Sequence, residues 1–286
     1  MTPTKRPKQI DDTEGSRILR IFDSLFPDRS WRPWRAWLHA VFGLDPGTDA
    51  ARDLIKQCIG RDTLPTKLAR EVWNIIGRRG GKGKMAALLA VFIAAFRRYV
   101  LSLGERALVL VIAADRRQAQ IVFQYIVAIF DSVASLSALV VRRTSDTIDL
   151  SNGISITVAT ASYRTVRGYT IVACICDEIA FWADDSGNPD SEILNAIRPA
   201  MATVENSMLI ALSTPFARRG ELYRVHEKYW TQDSDQTGVL VWKAPSLTMN
   251  PTIRAEVIEK AYDDDEAAAA SEYGAEFRRD LDRSSR

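Results

Sequence analysis

The sequence predicts an α/β fold with a mainly parallel central sheet flanked by helices, and three observations predict it. Runs at 72–76, 107–112, 170–176 and 207–212 have the length of strands and the largely apolar character of strands buried on both faces. Segments with apolar residues at helix spacing alternate with them, the signature of a doubly wound sheet. Glycines, acids or hydroxyls stand at the ends of three of these runs, at the sheet edge where such folds bind ligands.

Taken in order, residues 1–14 carry Pro3, Lys5, Arg6, Pro7 and Lys8 with almost nothing apolar, and read as a disordered basic arm. Ile18, Leu19, Ile21, Phe22, Leu25 and Phe26 then recur at helix spacing until Pro27 stops them. A second helix starts near Pro33, which suits a first turn, and carries Trp34, Trp37, Leu38, Val41 and Phe42 to Gly43. Its aromatic stripe reads either as core or as a platform for an adenine ring. Residues 50–59 form a short helix. The helix from Lys84 runs to about Leu101, with Arg97 and Arg98 in its last turns, where cations suit the dipole. After the strand at 107–112, Asp115 caps a helix whose apolar face holds Ala119, Val122, Phe123, Ile126, Val127 and Phe130. Short strands at 139–143 and 147–150 follow, and Ser151-Asn152-Gly153 turns the chain into a strand at 154–158, an edge hairpin by its Asn-Gly signal. Residues 183–190 read as a polar loop, and Glu192, Ile193, Leu194 and Ile197 sketch a helix ended near Pro199. A helix at 220–230, a polar linker at 231–238, a last strand at 239–242, a loop at 245–251 and helices at 252–262 and 266–277 complete the chain.

Composition narrows the class of function. A formal net charge of +2 excludes a general polyanion binder, while local basic clusters remain able to meet DNA. No run is long enough to span a bilayer and the N-terminus lacks an apolar signal core, so a cytosolic-type protein without a membrane partner is expected. Cys58, Cys174 and Cys176 give no disulfide framework, and Cys174 and Cys176 inside an apolar run read as core packing. His39 and His226, far apart in sequence, argue against a zinc site.

The chemistry concentrates at the strand ends. Gly77-Arg78-Arg79-Gly80-Gly81-Lys82-Gly83-Lys84 separates a strand from a helix rich in alanine and leucine. Glycines let successive N–H groups point inward and the helix start adds its positive dipole end, so a polyphosphate meets donors and charge together, with Lys82 reaching the terminal phosphates. The general phosphate-loop pattern has a glycine where Ile76 stands and a Ser or Thr where Gly83 stands. Without a hydroxyl at Gly83, Mg²⁺ needs water or another residue there; the competing reading is a basic loop that binds nothing in particular. The strand at 170–176 ends in Asp177-Glu178, where the Asp can hold Mg²⁺ and the Glu can position and deprotonate a water for in-line attack, or where a solvated strand end simply begins a loop. Ser213-Thr214-Pro215 ends the strand at 207–212, its hydroxyls able to sense a phosphate or to cap the helix at 220–230. Arg164, Thr165, Arg167 and Gly168 precede the acidic strand.

In this order, the phosphate loop, Arg167-Gly168, Asp177-Glu178 and Ser213-Thr214-Pro215 resemble the ATPase domain of the large terminase subunit of tailed double-stranded DNA bacteriophages, from about Trp31 to about Phe277. In that family a Gly-Arg-x-x-Gly-Lys loop is usual. The resemblance implies an ASCE-type P-loop NTPase at 15–245 with its N-terminal helical segment, and a C-terminal helical segment at 246–286. It implies that Lys82 and the backbone from Gly80 through Gly81 and Gly83 to Lys84 bind ATP phosphates, and that Arg78 or Arg79 faces the γ-phosphate. Asp177 would bind Mg²⁺, Glu178 would be the catalytic base, and Ser213-Thr214-Pro215 would couple hydrolysis to movement. Trp34-Arg35 stands where the family has an adenine-recognising aromatic-Gln element, without the Gln. Arg167 matches an arginine finger offered to a neighbouring subunit, hence a homo-oligomeric ring.

The implied partners are double-stranded DNA, contacted without regard to sequence, the capsid portal protein and the small terminase subunit, in host cytoplasm with transient docking on the procapsid. Family members usually continue into a nuclease domain. The chain stops at Arg286, after a stretch that resembles the junction, so DNA cutting is not expected of it, and Asp263-Asp264-Asp265-Glu266 reads as a helix start. Two alternatives stay open: a helicase-like P-loop ATPase, and a nucleotide-binding assembly subunit whose hydrolysis was lost with the hydroxyl at Gly83.

Overall fold

The computed structural model describes residues 13–161, 170–182 and 189–283; the basic arm over 1–12, Arg164, Thr165, Arg167, Gly168 and loop residues 183–188 lie outside the described residues. Three helices come first, α1 (Glu14–Leu25), α2 (Arg32–Phe42) and α3 (Asp49–Ile59). Next are β1 (Glu71–Ile76), α4 (Lys82–Phe96), β2 (Ala107–Ala113), α5 (Arg116–Ser132) and the one-turn α6 (Ala134–Ser137). β3 (Val140–Arg143), β4 (Thr147–Leu150) and β5 (Ile154–Thr160) lead to β6 (Thr170–Asp177), α7 (Pro189–Met201) and β7 (Met208–Ser213). The chain continues through α8 (Gly220–Tyr229), α9 (Ser234–Thr237), β8 (Val239–Ala244), α10 (Ser246–Met249), α11 (Ala255–Asp264) and α12 (Glu266–Glu272).

One sheet organises them, in the order β3-β4-β5-β2-β6-β7-β1-β8. The pairs from β5 to β8 are all parallel, and β3-β4 and β4-β5 are antiparallel at one edge. Period-two alternation sorts each central strand between two cores. In β2, Ala107, Val109, Val111 and Ala113 join the core under α1, α2, α4 and α5, while Leu108, Leu110 and Ile112 join the one under α7 and α8. In β1, Trp73 and Ile75 face that second core with Cys174 and Cys176, whose thiols are thus packing groups. Asn74 is the fully buried polar residue of β1, and its burial is satisfied: Trp37 Nε1 donates to Oδ1 at 2.6 Å and Nδ2 donates to Ala211 O at 2.9 Å.

The structure moves several expected boundaries, each for a local reason. Glu14 belongs to α1, behind the Thr13 cap, and pairs with Arg97, so the arm does not extend to it. α4 stops at Phe96 rather than near Leu101: Arg97 is its extended C-cap and reaches Glu14 and, at 3.1 Å, the carbonyl of Asn206, so neither Arg97 nor Arg98 lies in the last helical turn. Asp190 lies in α7, accepting the Glu221 N–H at 2.6 Å, and that helix continues through Pro199. The polar linker at 231–238 contains α9, and the loop at 245–251 contains α10. α11 begins at Ala255, and Asp263 and Asp264 close it; Asp265 and Glu266 start α12, Asp265 capping it through the Ala268 N–H. α12 ends at Glu272, and the chain to Phe277 is not helical. Among the described residues no helix is long and apolar enough to cross a membrane.

Candidate nucleotide site

β6, β7 and β1 are adjacent and parallel, so their carboxyl ends carry Asp177-Glu178, Ser213-Thr214 and the loop at 77–81 to one edge of the sheet. The loop is tight enough to dictate its residues. Gly81 caps α4 at φ +94°, where an L side chain is strained, and a Cβ there would lie 3.0 Å from Trp34 Nε1. A Cβ on Gly77 would come within 2.3 Å of Ser246 Oγ, so only glycine lets the C-terminal segment approach. α4 has no side-chain cap; the Lys84 N–H donates to Gly81 O at 3.2 Å, and the N–H groups of Lys82 and Gly83 face the position of an anion.

Lys82 is buried, and its ammonium donates to Ile76 O at 3.0 Å, Gly77 O at 3.4 Å and Thr214 Oγ1 at 2.8 Å. It also lies 3.3 Å from Glu178 Oε1. Glu178 sits in the left-handed region at φ +50°, a strain of about 1–3 kcal/mol for a non-glycine residue. Its N–H donates to Leu212 O at 2.7 Å, and its Oε2 accepts the Thr214 N–H at 2.9 Å with Ser213 Oγ at 3.2 Å. The end of β7 therefore holds the carboxylate that β6 delivers.

Asp177 is 1% exposed; Oδ2 accepts from Gln118 Nε2 at 2.9 Å while Oδ1 is buried without a partner. Burial pushes its pKa up to about 7, helped by the negative charge of Glu178 and opposed by the Gln118 hydrogen bond and the charge of Lys82. Mg²⁺ fits this residue: an orphaned carboxylate oxygen is a hard donor, and a cation beside it would supply both the partner and the charge that keeps it ionised. Among the described residues no group of three or more His, Cys, Asp or Glu gathers into a metal cluster, so a cation beside Asp177 would need oxygens other than those of a carboxylate cluster.

Two cavities share Gln118 and Glu178 in their walls. One, about 450 Å³, runs along Arg79, Gly80, Gly81, Lys82, Gly83 and Lys84, facing Trp31 and Tyr125. The other, about 310 Å³, lies between Thr214, Pro215 and Arg78 and the α12 residues Ala268, Ser271 and Glu272. The C-terminal segment grips both neighbours of this second cavity. Arg78 donates its N–H to Glu272 O at 2.6 Å and its Nη1 to Glu272 Oε1 at 2.8 Å, and Ser246 Oγ donates to Arg78 O at 2.7 Å. Ser271 Oγ donates to Pro215 O at 2.7 Å, and the Arg278 N–H to Phe216 O at 2.8 Å.

The structure thus brings together the loop, Lys82, Asp177, Glu178, Ser213 and Thr214, and corrects other readings. Trp34 is wholly buried, edge-on to Trp37, and donates Nε1 to Gly80 O at 2.7 Å; it braces the loop and offers no ring face to a base. Arg35 turns from the loop to Asp23 at 2.9 Å and to His39 at 2.8 Å. Ser213 and Thr214 do not cap α8, whose cap position is Arg219 without a side-chain bond. Arg78 points at Glu272, which leaves Arg79 as the arginine in the loop-side cavity. Arg167 lies outside the described residues. Gln118, Trp31, Ser246 and Glu272 escaped the sequence reading. For Gln118 a signal existed, since it lies in the first turn of the helix that follows β2 and must stand at the same ligand-binding edge; nothing in the sequence ties Ser246 or Glu272 to a loop residue 168 and 194 positions away.

An uncapped glycine loop carrying Lys82, with an acid pair two strands away and a further strand between them, makes this an α/β P-loop NTPase of the ASCE type. Residues 75–286 match the family described as terminase large subunit, T4likevirus-type, N-terminal, and the chain belongs to that family. The fold is similar to the large terminase ATPase domain of Thermus phage P74-26, at 20% identity and TM-score 0.58 over 84% of this chain and 97% of that one. An arginine-to-alanine mutant of the same domain matches at 19% identity and TM-score 0.59, over 84% and 98%. The large terminase of bacteriophage HK97 matches at 19% identity and TM-score 0.59 over 93% of this chain, which spans 55% of the HK97 protein. No curated protein matches the chain.

Proposed function

We propose that the chain is the ATPase of a viral genome-packaging motor, hydrolysing ATP to drive double-stranded DNA into a procapsid. The observation that carries this reading is the linkage of Lys82, Thr214 and Glu178 by contacts of 2.8, 2.9 and 3.3 Å beside an uncapped helix start. The phosphates of ATP lie on the N–H groups of Gly80, Gly81, Lys82, Gly83 and Lys84, and Lys82 turns to the terminal phosphates. Glu178, still held by the Thr214 N–H, accepts the proton of the attacking water. Asp177 would hold Mg²⁺, which would supply charge neutralisation to the bound phosphates. Arg79 faces the γ-phosphate. Arg167 serves as an arginine finger for the neighbouring subunit, which makes a homo-oligomeric ring the working unit.

Ser213-Thr214-Pro215 couples hydrolysis to movement. The support is that the strand end that holds Glu178 is itself hydrogen-bonded to Ser271, so a shift at one is felt at the other. The motor meets duplex phosphates without regard to sequence, with salt-dependent affinity, and works with a portal protein and a small terminase subunit in host cytoplasm, docking transiently on the procapsid. The glycine at position 83 favours a second reading, an assembly subunit that binds nucleotide with negligible turnover. Mg²⁺-dependent ATP turnover measured against protein concentration, with and without duplex DNA and with Glu178→Ala as the blank, separates the two. A steep rise with concentration that vanishes in the blank supports the ring motor; binding without turnover at any concentration supports the second reading.

A further inference from the structure

Position 83 sets a physical problem. The P-loop hydroxyl that ordinarily contacts the nucleotide-bound Mg²⁺ is absent, yet nothing in the backbone demands glycine there. Gly83 is not among the residues at positive φ, and a Cβ would meet only Tyr125 at 3.6 Å and Val122 at 4.0 Å, ordinary contacts. A serine would therefore fit, and the cation lacks one protein oxygen for reasons of sequence alone. Of the residues lining the loop-side cavity, the neutral side chains able to offer an uncharged oxygen are Gln118, Tyr125 and Asn250.

Asn250 is committed elsewhere: its Nδ2 donates to Arg79 O at 2.9 Å, and its Oδ1 accepts from the Thr252 N–H at 3.1 Å and hydroxyl at 2.6 Å. Tyr125 presents ring carbons to Gly83. Gln118 alone touches the carboxylate that fits the metal, donating Nε2 to Asp177 Oδ2 at 2.9 Å, and it lines both cavities beside Glu178. The ionised carboxylate, the form that would hold the metal, accepts and cannot donate, so with Asp177 ionised this bond fixes the amide with its nitrogen on Asp177 and leaves Oε1 as an acceptor. Asp115 anchors the residue by capping α5 through the Gln118 N–H at 2.9 Å, which pins the backbone at the sheet edge.

Resting on the ATP·Mg²⁺ reading given above, we infer that Gln118 Oε1 supplies to the nucleotide-bound Mg²⁺ the oxygen contact that residue 83 lacks. The phosphate loop of this chain is then completed from α5 rather than from α4. The role has a signature that a bracing role does not: it exists only when the metal is present, and it becomes redundant when a hydroxyl returns to position 83.

The test is a fluorescence titration of the protein with mant-ATP, in Mg²⁺ and in EDTA, for the unaltered chain, Gln118→Ala, Gly83→Ser and the double variant. Gln118→Ala is expected to bind as the unaltered chain does in EDTA and about tenfold more weakly in Mg²⁺, the cost of one charge-assisted oxygen contact. In the Gly83→Ser background the same change is expected to cost less than about twofold in Mg²⁺. Equal weakening in both media would overturn the inference by showing that Gln118 only shapes the pocket. No weakening in Mg²⁺, or an undiminished loss in the Gly83→Ser background, would overturn it too. If the unaltered chain binds mant-ATP in neither medium, the nucleotide reading itself fails and the inference falls with it.

Discussion

Asp177→Asn removes a charge from a place where the fold makes ionisation expensive. The carboxyl is 1% exposed, Oδ1 has no partner, and burial together with the Glu178 charge lifts the pKa from an ordinary 3.8 to about 7. The folded chain thus keeps a proton that the unfolded chain gives up near pH 4. A raised carboxyl pKa contributes stability that is complete below the unfolded value and is lost as pH rises through the folded one, here between pH 4 and about 7. Each tenfold change in proton affinity is worth about 1.4 kcal/mol, so the span to about 7 amounts to about 4 kcal/mol. Asparagine keeps an oxygen for Gln118 Nε2 and carries no charge, so the variant escapes the loss. Urea unfolding of both proteins in EDTA, followed by tryptophan fluorescence from pH 4 to 8, should give curves that meet at the acid end and separate by about 4 kcal/mol at the neutral end, with the variant the more stable. Parallel curves, or a parent that gains on the variant as pH rises, would refute the argument. Added Mg²⁺ should close part of the gap, since it favours the ionised parent.

Other residues give independent checks. Trp34→Phe keeps the packing but leaves the buried Gly80 carbonyl without its indole donor; a loss of about 1–3 kcal/mol in urea unfolding is expected, with weaker nucleotide binding. Gly81→Ala forces a Cβ to within 3.0 Å of Trp34 Nε1 at φ +94°, and should cost about 1–2 kcal/mol, read as a lowered urea midpoint. Glu272→Gln breaks an exposed ion pair and should change stability by less than about 1 kcal/mol. Because it also releases the Arg78 guanidinium, ATP affinity relative to ADP should rise, by about fivefold at most.

How much of this was legible in the sequence depended on the range of the interaction that decides it. β2 and β6 are continuous apolar runs, and burial on both faces is a property of each run alone, so their existence and the edge carrying Asp177-Glu178 followed directly. Asp115 capped its helix as expected because a cap is settled within three residues. Arg97 failed for the opposite reason. Dipole logic favours a cation in a last helical turn, but Glu14, 83 positions away, draws it out of the helix, and no local rule contains that partner. For Trp34 the sequence left core and adenine platform both open, and its complete burial with the 2.7 Å bond to Gly80 O, 46 positions away, decides for core.

On the proposed reading, in which Glu178 is the base, the ammonium of Lys82 would link occupancy of the loop to the freedom of that carboxylate. A buried cation must keep partners, and without nucleotide Lys82 finds them in Thr214 Oγ1, two backbone carbonyls and, at 3.3 Å, Glu178 Oε1. In that arrangement the cation occupies the flank of Glu178 from which a phosphate would approach. A terminal phosphate carries more charge than any of these partners and competes for the same three donors, so its arrival draws Lys82 away from Glu178. Glu178 does not then collapse into the loop, because its other oxygen is fixed by the Thr214 N–H at 2.9 Å and its backbone by Leu212 O at 2.7 Å, both from the β7 end. The carboxylate is thus released on one side and held on the other, the condition a base needs to accept a proton from water beside the phosphate. The same strand end reaches Ser271 through Pro215 O, so on the proposed reading an exchange of partners at Lys82 would be felt by the C-terminal segment through that hydrogen bond.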